Sequence, residues 1–459
     1  MHDRCQRIAI PRRLRGAALL VMLVILVLGI AALLIGSLNS TALQNERDST
    51  TAAALAQARE ALIGYAMTYA DTHTTTPQVD GYLPCPDSDA SNGEGSSKLS
   101  CGSQDVSTLG RLPWRTLDLQ PLRDGAGECL WYALSGSYKN NPKTSLMNWD
   151  TSGLLSVSDA NGNTVPDVVA VIFAPGTPLA GQDRSPSGDA PICGGNYVAA
   201  NYLDNDGTHD NSSVSSAANA VSNFFSGASS RVNDRLLYIT RQDIWNAMLK
   251  RSDFTTTLNN MTRKVAECIA GFGKLNGSPN DPDNKSLPWP APLVLADYGD
   301  DSSYNDMYGL YAGRVPYQVD TSITATGNTG SSSLLAAGSC SVTGWSATYP
   351  WWDNWKDHLF YAIGQEFQPT SGETSGCGTC LQVNGSGQYA AVVMFAGQAL
   401  SGQDRTDKSV LGAYLEGRNS GNYPNSGGNG NYQSAAGSGT FNDVLYCIDQ
   451  NLNVAACPQ

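Results

Sequence analysis

The stretch that decides the fold runs from Arg12 to Leu38: RRLRG (12–16), then AALLVMLVILVLGIAALLIGSL (17–38). Five arginines, Arg4, Arg7, Arg12, Arg13 and Arg15, precede Gly16, and no charged side chain follows until Glu46. As a helix, the apolar run from Ala17 to Leu38 would extend about 33 Å, which matches the hydrocarbon core of a bilayer. Arginine on one side only predicts a cytoplasmic N-terminus and an exported body.

A secretory signal would carry a shorter apolar region with a small-residue cut site after it. Here the small residue, Gly16, lies between the basic leader and the apolar helix. That order resembles the prepilin-type signal of the type IV pilin and type II secretion pseudopilin superfamily. The resemblance implies a leader of residues 1–16, cleavage by a prepilin peptidase between Gly16 and Ala17, and methylation of the new amine. It implies a retained transmembrane helix over 17–38, with Ala17, Val21 and Leu38 in the segment that bundles with other pilins or pseudopilins. Most members carry glutamate at the fifth mature position, which here is Val21. Members without that glutamate resemble minor subunits at a filament tip, where no subunit above offers an amine to pair with. The other reading is an ordinary signal anchor.

The exported body is acidic. Removing five Arg and one Asp from 28 basic and 41 acidic residues leaves 23 against 40, a net charge of −17. That argues against nucleic acid or an anionic membrane surface as the main partner of the body. With 459 residues, 41% of them hydrophobic, the chain can bury cores in two or three domains. Plentiful Gly (47) and Pro (22) predict long, turn-rich loops. Eleven Cys become ten once Cys5 leaves with the leader, an even number that suits disulfides in an oxidising compartment.

Beyond the membrane the helix is predicted to continue from Asn39 to about Asp71. Leu43, Leu55, Ala58, Leu62, Ala66 and Tyr69 fall mostly at three- or four-residue spacing. Thr72 to Thr76 and Pro77 stop it. A turn-rich loop with Cys85 and Cys101 follows, then ECLWYALSGSY (128–138) as a short helix or strand. PDVVAVIFA ending at Ala174 reads as a buried strand, and RVNDRLLYIT (231–240) as a closing one.

The pattern then starts again. Residues 241–274 are helical in texture, and ECIAGFG (267–273) echoes EALIGYA (60–66). SLPWPAP echoes YLPCPDS, GRVPY echoes GRLPW, and DHLFYAIGQEF echoes ECLWYALSGSY. AAVVMFAGQALSGQDR echoes VVAVIFAPGTPLAGQDR, and FNDVLYCI echoes VNDRLLYI. Echoes in one order, displaced by about 203 to 229 residues, predict an internal duplication with an insertion at Val319 to Ala347. The expected architecture is α+β: a long N-terminal transmembrane and amphipathic helix, then two duplicated pilin-like heads with antiparallel sheets, over 39–240 and 241–459.

Candidate sites are few. GQDR occurs twice (181–184 and 402–405) and is expected to fix the turn after each central strand through local hydrogen bonds. Asn233–Asp234 and Asn442–Asp443 are expected to cap the strands they precede. Two acidic loops could hold calcium: one with Asp159, Asn161, Asn163 and Asp167, the other with Asp204, Asp206 and Asp210. Asp/Asn/Gly clusters are also the usual stuff of solvated turns. Cys85 is expected to close on Cys101, Cys447 and Cys457 to staple the C-terminus, and Cys377 to join Cys380 as a structural bridge. The pairing of Cys129, Cys193, Cys268 and Cys340 stays open. The run YPWWDNWKDHLFYAIGQEF (349–367) suggests either a sugar-stacking platform or core packing, and its four-residue spacing favours core, with Trp351 and Trp352 the residues that could still be exposed.

No G-x-S-x-G, H-E-x-x-H or phosphate loop is present, and four scattered His make a catalytic constellation unexpected. The expectation is a non-catalytic minor pilin or pseudopilin-like subunit, anchored in the inner membrane with periplasmic heads and later part of a filament. The alternative is a signal-anchored periplasmic enzyme or carbohydrate-binding protein.

Overall fold

The computed structural model describes residues 15–74, 78–228, 231–275, 286–319, 332–333, 351–369, 378, 380–422 and 430–459, with side chains from residue 41 onward. Helix α1, Arg15–Met67, is unbroken for 53 residues. Over its second half Ala54, Leu55, Ala58, Leu62, Ile63 and Ala66 are buried, a stripe at helical spacing. It ends in a threonine-rich turn, where the Thr68 hydroxyl donates to the Gly64 carbonyl at 3.0 Å. A single turn, α2 (Tyr69–Thr72), follows. Among the described residues no helix is long and apolar enough to cross a membrane. The side chains of 17–38 lie outside them.

The first sheet is built from β1 (Thr108–Arg111), β2 (Trp131–Leu134), β3 (Leu155–Asp159), β4 (Thr164–Ala174), β5 (Ser222–Ser226) and β6 (Arg235–Thr240). Its path is β1-β2-β4-β3-β5, with β6 along the other side of β4. All pairs are antiparallel except β3 with β5. The central strand β4 is apolar without alternation from Val168 to Ala174, as a strand covered on both faces must be. Helix α1 covers one face at β4 and β6.

Two helices follow, where one helical stretch was expected. Helix α3 (Arg241–Met248) opens with a capping box, in which Thr240 and Asp243 satisfy each other's backbone N–H groups. Helix α4 (Ser252–Leu275) lies against the second sheet as α1 lies against the first.

That second sheet comprises β7 (Ala312–Arg314), β10 (Leu359–Ile363), β11 (Leu381–Val383), β12 (Ser386–Phe395), β13 (Asn431–Tyr432), β14 (Val444–Asp449) and β15 (Val454–Ala456). A small separate ladder joins β8 (Gln318–Val319) to β9 (Ser332–Ser333). The order β7-β10-β12-β11-β13, with β14 across β12, matches the first sheet strand for strand. The registers match as well. Tyr132 sits between Gly110 and Ile172, and Tyr361 between Gly313 and Val393. The central strands even share an irregularity in the same place, Val168/Ala170 in one and Tyr389/Ala391 in the other. Within the second sheet β15, which extends it beyond β14, has no counterpart among the described residues of the first. The rest of the expected insertion at 319–347 lies outside the described residues.

On their helix-covered faces the two sheets share one core. A buried cluster runs from Leu55, Leu62 and Ile172 through Trp245 and Ile269 to Trp355, Val393 and Ile448. Short α5 (Trp351–Trp355) contributes Trp352 and Trp355, each 1% exposed. This settles Trp352 as core. Trp351 has no described side chain. Trp355 stacks edge-on to Trp149 of the first half, ring centroids 4.3 Å apart, and also meets Trp245 and Phe395.

Candidate functional site

Two buried polar knots, one beside each sheet, are assembled from the same residue types in the same order. In the first, Arg184 lies over the Tyr202 ring and donates to the carbonyls of Gly176 and Asn201. Gln182 accepts from the Leu179 amide and donates to Asp204 at 2.9 Å. Asp204 in turn accepts from the amides of Asn233 (2.6 Å) and Asp234 (3.1 Å). The Asp204 amide donates to Asp234 at 2.7 Å, and Asn211 closes the ring on Asp234.

The second knot repeats this. Arg405 lies over Tyr414 and donates to Gly397 and Ala413. Gln403 accepts from Leu400 and donates to Glu416. Glu416 receives the Asn442 amide, and its own amide donates to Asp443, where Asn419 also arrives. The GQDR motifs therefore do fix turns, as expected, and they also reach the strand-leading Asn–Asp pairs. The Asp of each motif stays outside: Asp183 and Asp404 are exposed, and their carboxylates accept from Ser185 and Thr406.

Each knot places two carboxyl groups in one buried space. Burial first, and the neighbouring Asp204 second, pushes Asp234 up to about 8. Burial and Glu416 do the same to Asp443, also to about 8. Both stay neutral at mildly acidic pH. Their companions' oxygens are already filled by N–H donors, so the arrangement holds a proton.

A third cluster lies on the seam between the halves. His358, wholly buried, sets Nε2 at 2.9 Å from Asp150 and Nδ1 at 2.7 Å from Asp357. Lys408 meets the other Asp357 oxygen at 2.6 Å, and Arg405 lies 3.3 Å from both oxygens of Asp150. Burial works against a charge on His358, but Asp357 and Asp150 together outweigh it and raise its pKa. Burial also opposes ionisation of Asp357 and Asp150, yet His358 holds both below the usual carboxylate range. The Trp149 indole N–H, 2.9 Å from the same Nε2, can bond only the unprotonated ring nitrogen. The seam thus has two hydrogen-bonding states, and the carboxylates favour the charged one. Asn354 adds bonds to Met147 and Asn148, both 2.8 Å. A cleft of about 280 Å³ opens beside the cluster, lined in part by Asp105, Asn148, Asn219 and Lys408.

The acidic loops do not converge. Asp159 accepts from the amides of Asn161 and Asn163 and from the Asn163 side chain, closing the β3–β4 hairpin on itself. Asp167 points elsewhere and pairs with Arg241 at 3.1 Å. Asp204 is held in the first knot, Asp206 binds His209, and Asp210 binds Ser212 and Ser213. Among the described residues no three His, Cys, Asp or Glu side chains gather as metal ligands.

Cys85–Cys101 and Cys447–Cys457 are bonded, as is Cys129–Cys193. Cys268 and Cys380 are disulfide-bonded too. Cys377 and Cys340 lie outside the described residues. Gly16, Ala17, Val21 and Leu38 fall on the backbone of α1, without described side chains.

Sequence reasoning reached half of each knot and missed Glu416, Asn211 and Asn419. The signal was present in Tyr202-Leu203-Asp204 and Tyr414-Leu415-Glu416, one further echo hidden by the exchange of Asp for Glu. The seam left no such trace. No known protein family, curated protein or solved structure matches the chain.

Proposed function

We propose that this chain is a non-catalytic minor pilin or pseudopilin-like subunit. In this reading a prepilin peptidase cleaves it between Gly16 and Ala17, and it assembles near the tip of a type IV pilus or type II secretion pseudopilus. The observation that carries the reading is helix α1, continuous from Arg15 to Met67, with its second half seated on the antiparallel pair β4 and β6. The 17–38 stretch would anchor the chain in the inner membrane with the sheets in the periplasm, then join the helical core of the filament. Val21, in place of the glutamate that meets a neighbour's amine, suits a terminal position. Matched strand order, register and knots support an internal duplication in which only the first copy kept a membrane half.

The burial of Trp352 and Trp355 removes most of the surface that a sugar-stacking platform would need. The enclosure of His358 and the self-satisfied acidic loops support a structural role for these groups. Calcium in the 159–167 or 204–210 loops would have to displace existing hydrogen bonds.

Co-expression with a prepilin peptidase tests the reading. Mass analysis is expected to find a chain that begins at methylated Ala17, and Gly16→Val is expected to abolish the cut. Retention of Met1 with active peptidase, or a cut beyond Leu38, overturns it.

A further inference from the structure

The two sheets differ at one edge. In the second, β15 runs antiparallel to β14, pairing Tyr446 with Ala456, Cys447 with Ala455 and Ile448 with Val454. The Cys457 amide then donates to the Leu445 carbonyl at 3.1 Å, and the Cys447–Cys457 bridge fastens the added strand. By the matched registers, Leu445, Tyr446 and Cys447 correspond to Leu236, Leu237 and Tyr238 of β6. Among the described residues no strand lies on that edge of β6.

Part of the edge is closed in another way. Arg59 donates from Nε to the Tyr238 carbonyl at 3.2 Å, where α4 has the small Ala266 at the matching position. The Thr240 amide is taken by Asp243. Below this, Arg235–Leu237 border an open groove of about 950 Å³ that Leu43, Arg47, Thr51 and Leu55 of α1 also line, with the Arg235 side chain paired to Asp48 of α1 at 3.0 Å. Tyr238 directs its carbonyl outward to Arg59, so Leu236, two residues away, directs its backbone outward as well.

We propose that this groove receives an extended segment of a partner protein, added antiparallel to β6 as β15 is added to β14. The internal copy supplies the shape of the occupant: a short strand of small apolar residues, like Val454-Ala455-Ala456, bound chiefly through its backbone. A second copy of this chain does not donate its β15, which a disulfide holds on its own sheet. The inference rests on the comparison of the two sheets and stands whether or not the chain enters a filament.

The test uses the full-length chain in detergent and a synthetic peptide of residues 451–459, NLNVAACPQ, with its cysteine activated as the thionitrobenzoate mixed disulfide. Tyr238→Cys places a thiol where Cys447 sits in the second sheet. Attack by that thiolate on the peptide sulfur forms the adduct and releases one thionitrobenzoate. Adduct is expected at least tenfold faster than with the exposed control Thr164→Cys, and Leu236→Pro in the Tyr238→Cys chain is expected to slow it to the control rate. Equal rates for the Tyr238→Cys and Thr164→Cys chains overturn the proposal. In the wild-type chain, saturating peptide with Cys457→Ser is expected to slow amide exchange of Leu236 and Tyr238 several-fold. Unchanged exchange at both overturns it independently of any variant's folding.

Discussion

Asp150 and His358 meet at 2.9 Å across the seam, and His358 has no like residue at the matching position of the other half. The register that aligns Trp131 with Phe360 places Cys129 opposite His358, and Cys129 is spent in a bridge to Cys193. The two halves resemble each other inside their sheets and diverge where they touch. That divergence turns a pair of similar units into one body with a defined seam.

Breaking the seam from one side should be costly. His358→Ala leaves Asp357 and Asp150 buried with only Lys408 and Arg405 as partners, and a buried ion pair broken from one side typically costs about 3–5 kcal/mol. The urea midpoint is expected to fall accordingly. Asp150→Asn in the same chain is expected to restore part of the loss, since it removes one of the stranded charges. A variant as stable as wild type would show that the seam is held by its tryptophans alone.

Stability should decline as pH rises from about 5 to 8. Asp234 and Asp443 are each raised to about 8, so the folded chain binds more protons than the unfolded one between the ordinary carboxylate range and pH 8. His358, also raised, contributes stability that is complete below its unfolded pKa and lost as pH climbs through its folded value. Below about pH 4 the sign reverses, because protonating the depressed Asp357 and Asp150 removes their contribution. Thermal melts across pH 3–9 should show a maximum near pH 5. Asp234→Asn with Asp443→Asn, which mimic the neutral acids, should flatten the alkaline limb.

Gly125 should tolerate no side chain. A Cβ there would lie 2.2 Å from the Arg47 carbonyl oxygen, and the Gly125 amide donates to Thr51 at 2.9 Å. Gly125→Ala must push α1 off the loop, at about 1–3 kcal/mol by the usual cost of overpacking. Gly102→Ala, where a Cβ meets nothing within 4 Å but the backbone is at φ +79°, should cost less, about 1 kcal/mol. Melting temperatures of the two variants decide the point.

The three bridges with both ends among the described residues should rank by the length of chain each closes. Cys129–Cys193 spans 64 residues, Cys85–Cys101 spans 16 and Cys447–Cys457 spans 10. Loop-closure entropy then predicts losses of about 4, 3 and 2.7 kcal/mol when each pair becomes alanine. Guanidinium titrations of the three variants should return that order. Loss of Cys447–Cys457 should also free β15 from its edge, seen as faster exchange of the amide at position 457.

What could be read from the chain follows from the range of the interaction. The stripe Leu55, Ala58, Leu62 and Ala66 fixes α1 by periodicity, and the run Val168 to Ala174 fixes β4 by its uniform apolarity. The repeated GQDR and Asn–Asp pairs fall in the knots because the same residue types recur in the same order around both. The break between α3 and α4 was missed, since Leu249, Lys250 and Arg251 between them include no Gly or Pro and look like ordinary helix composition. The seam was invisible for a deeper reason. Asp150 and His358 are 208 positions apart, carry no periodicity, and owe their pairing to how two finished sheets come together.

The single apolar mass beneath α1 has a mechanical consequence. A pull along that helix enters the body at Ala54 to Ala66 and passes through Trp245 and Trp355 into the far sheet, through one continuous cluster of described residues. Under load the body should therefore yield in one event, at a force set by the whole interior, and a force–extension trace should show a single rupture peak beyond the membrane segment.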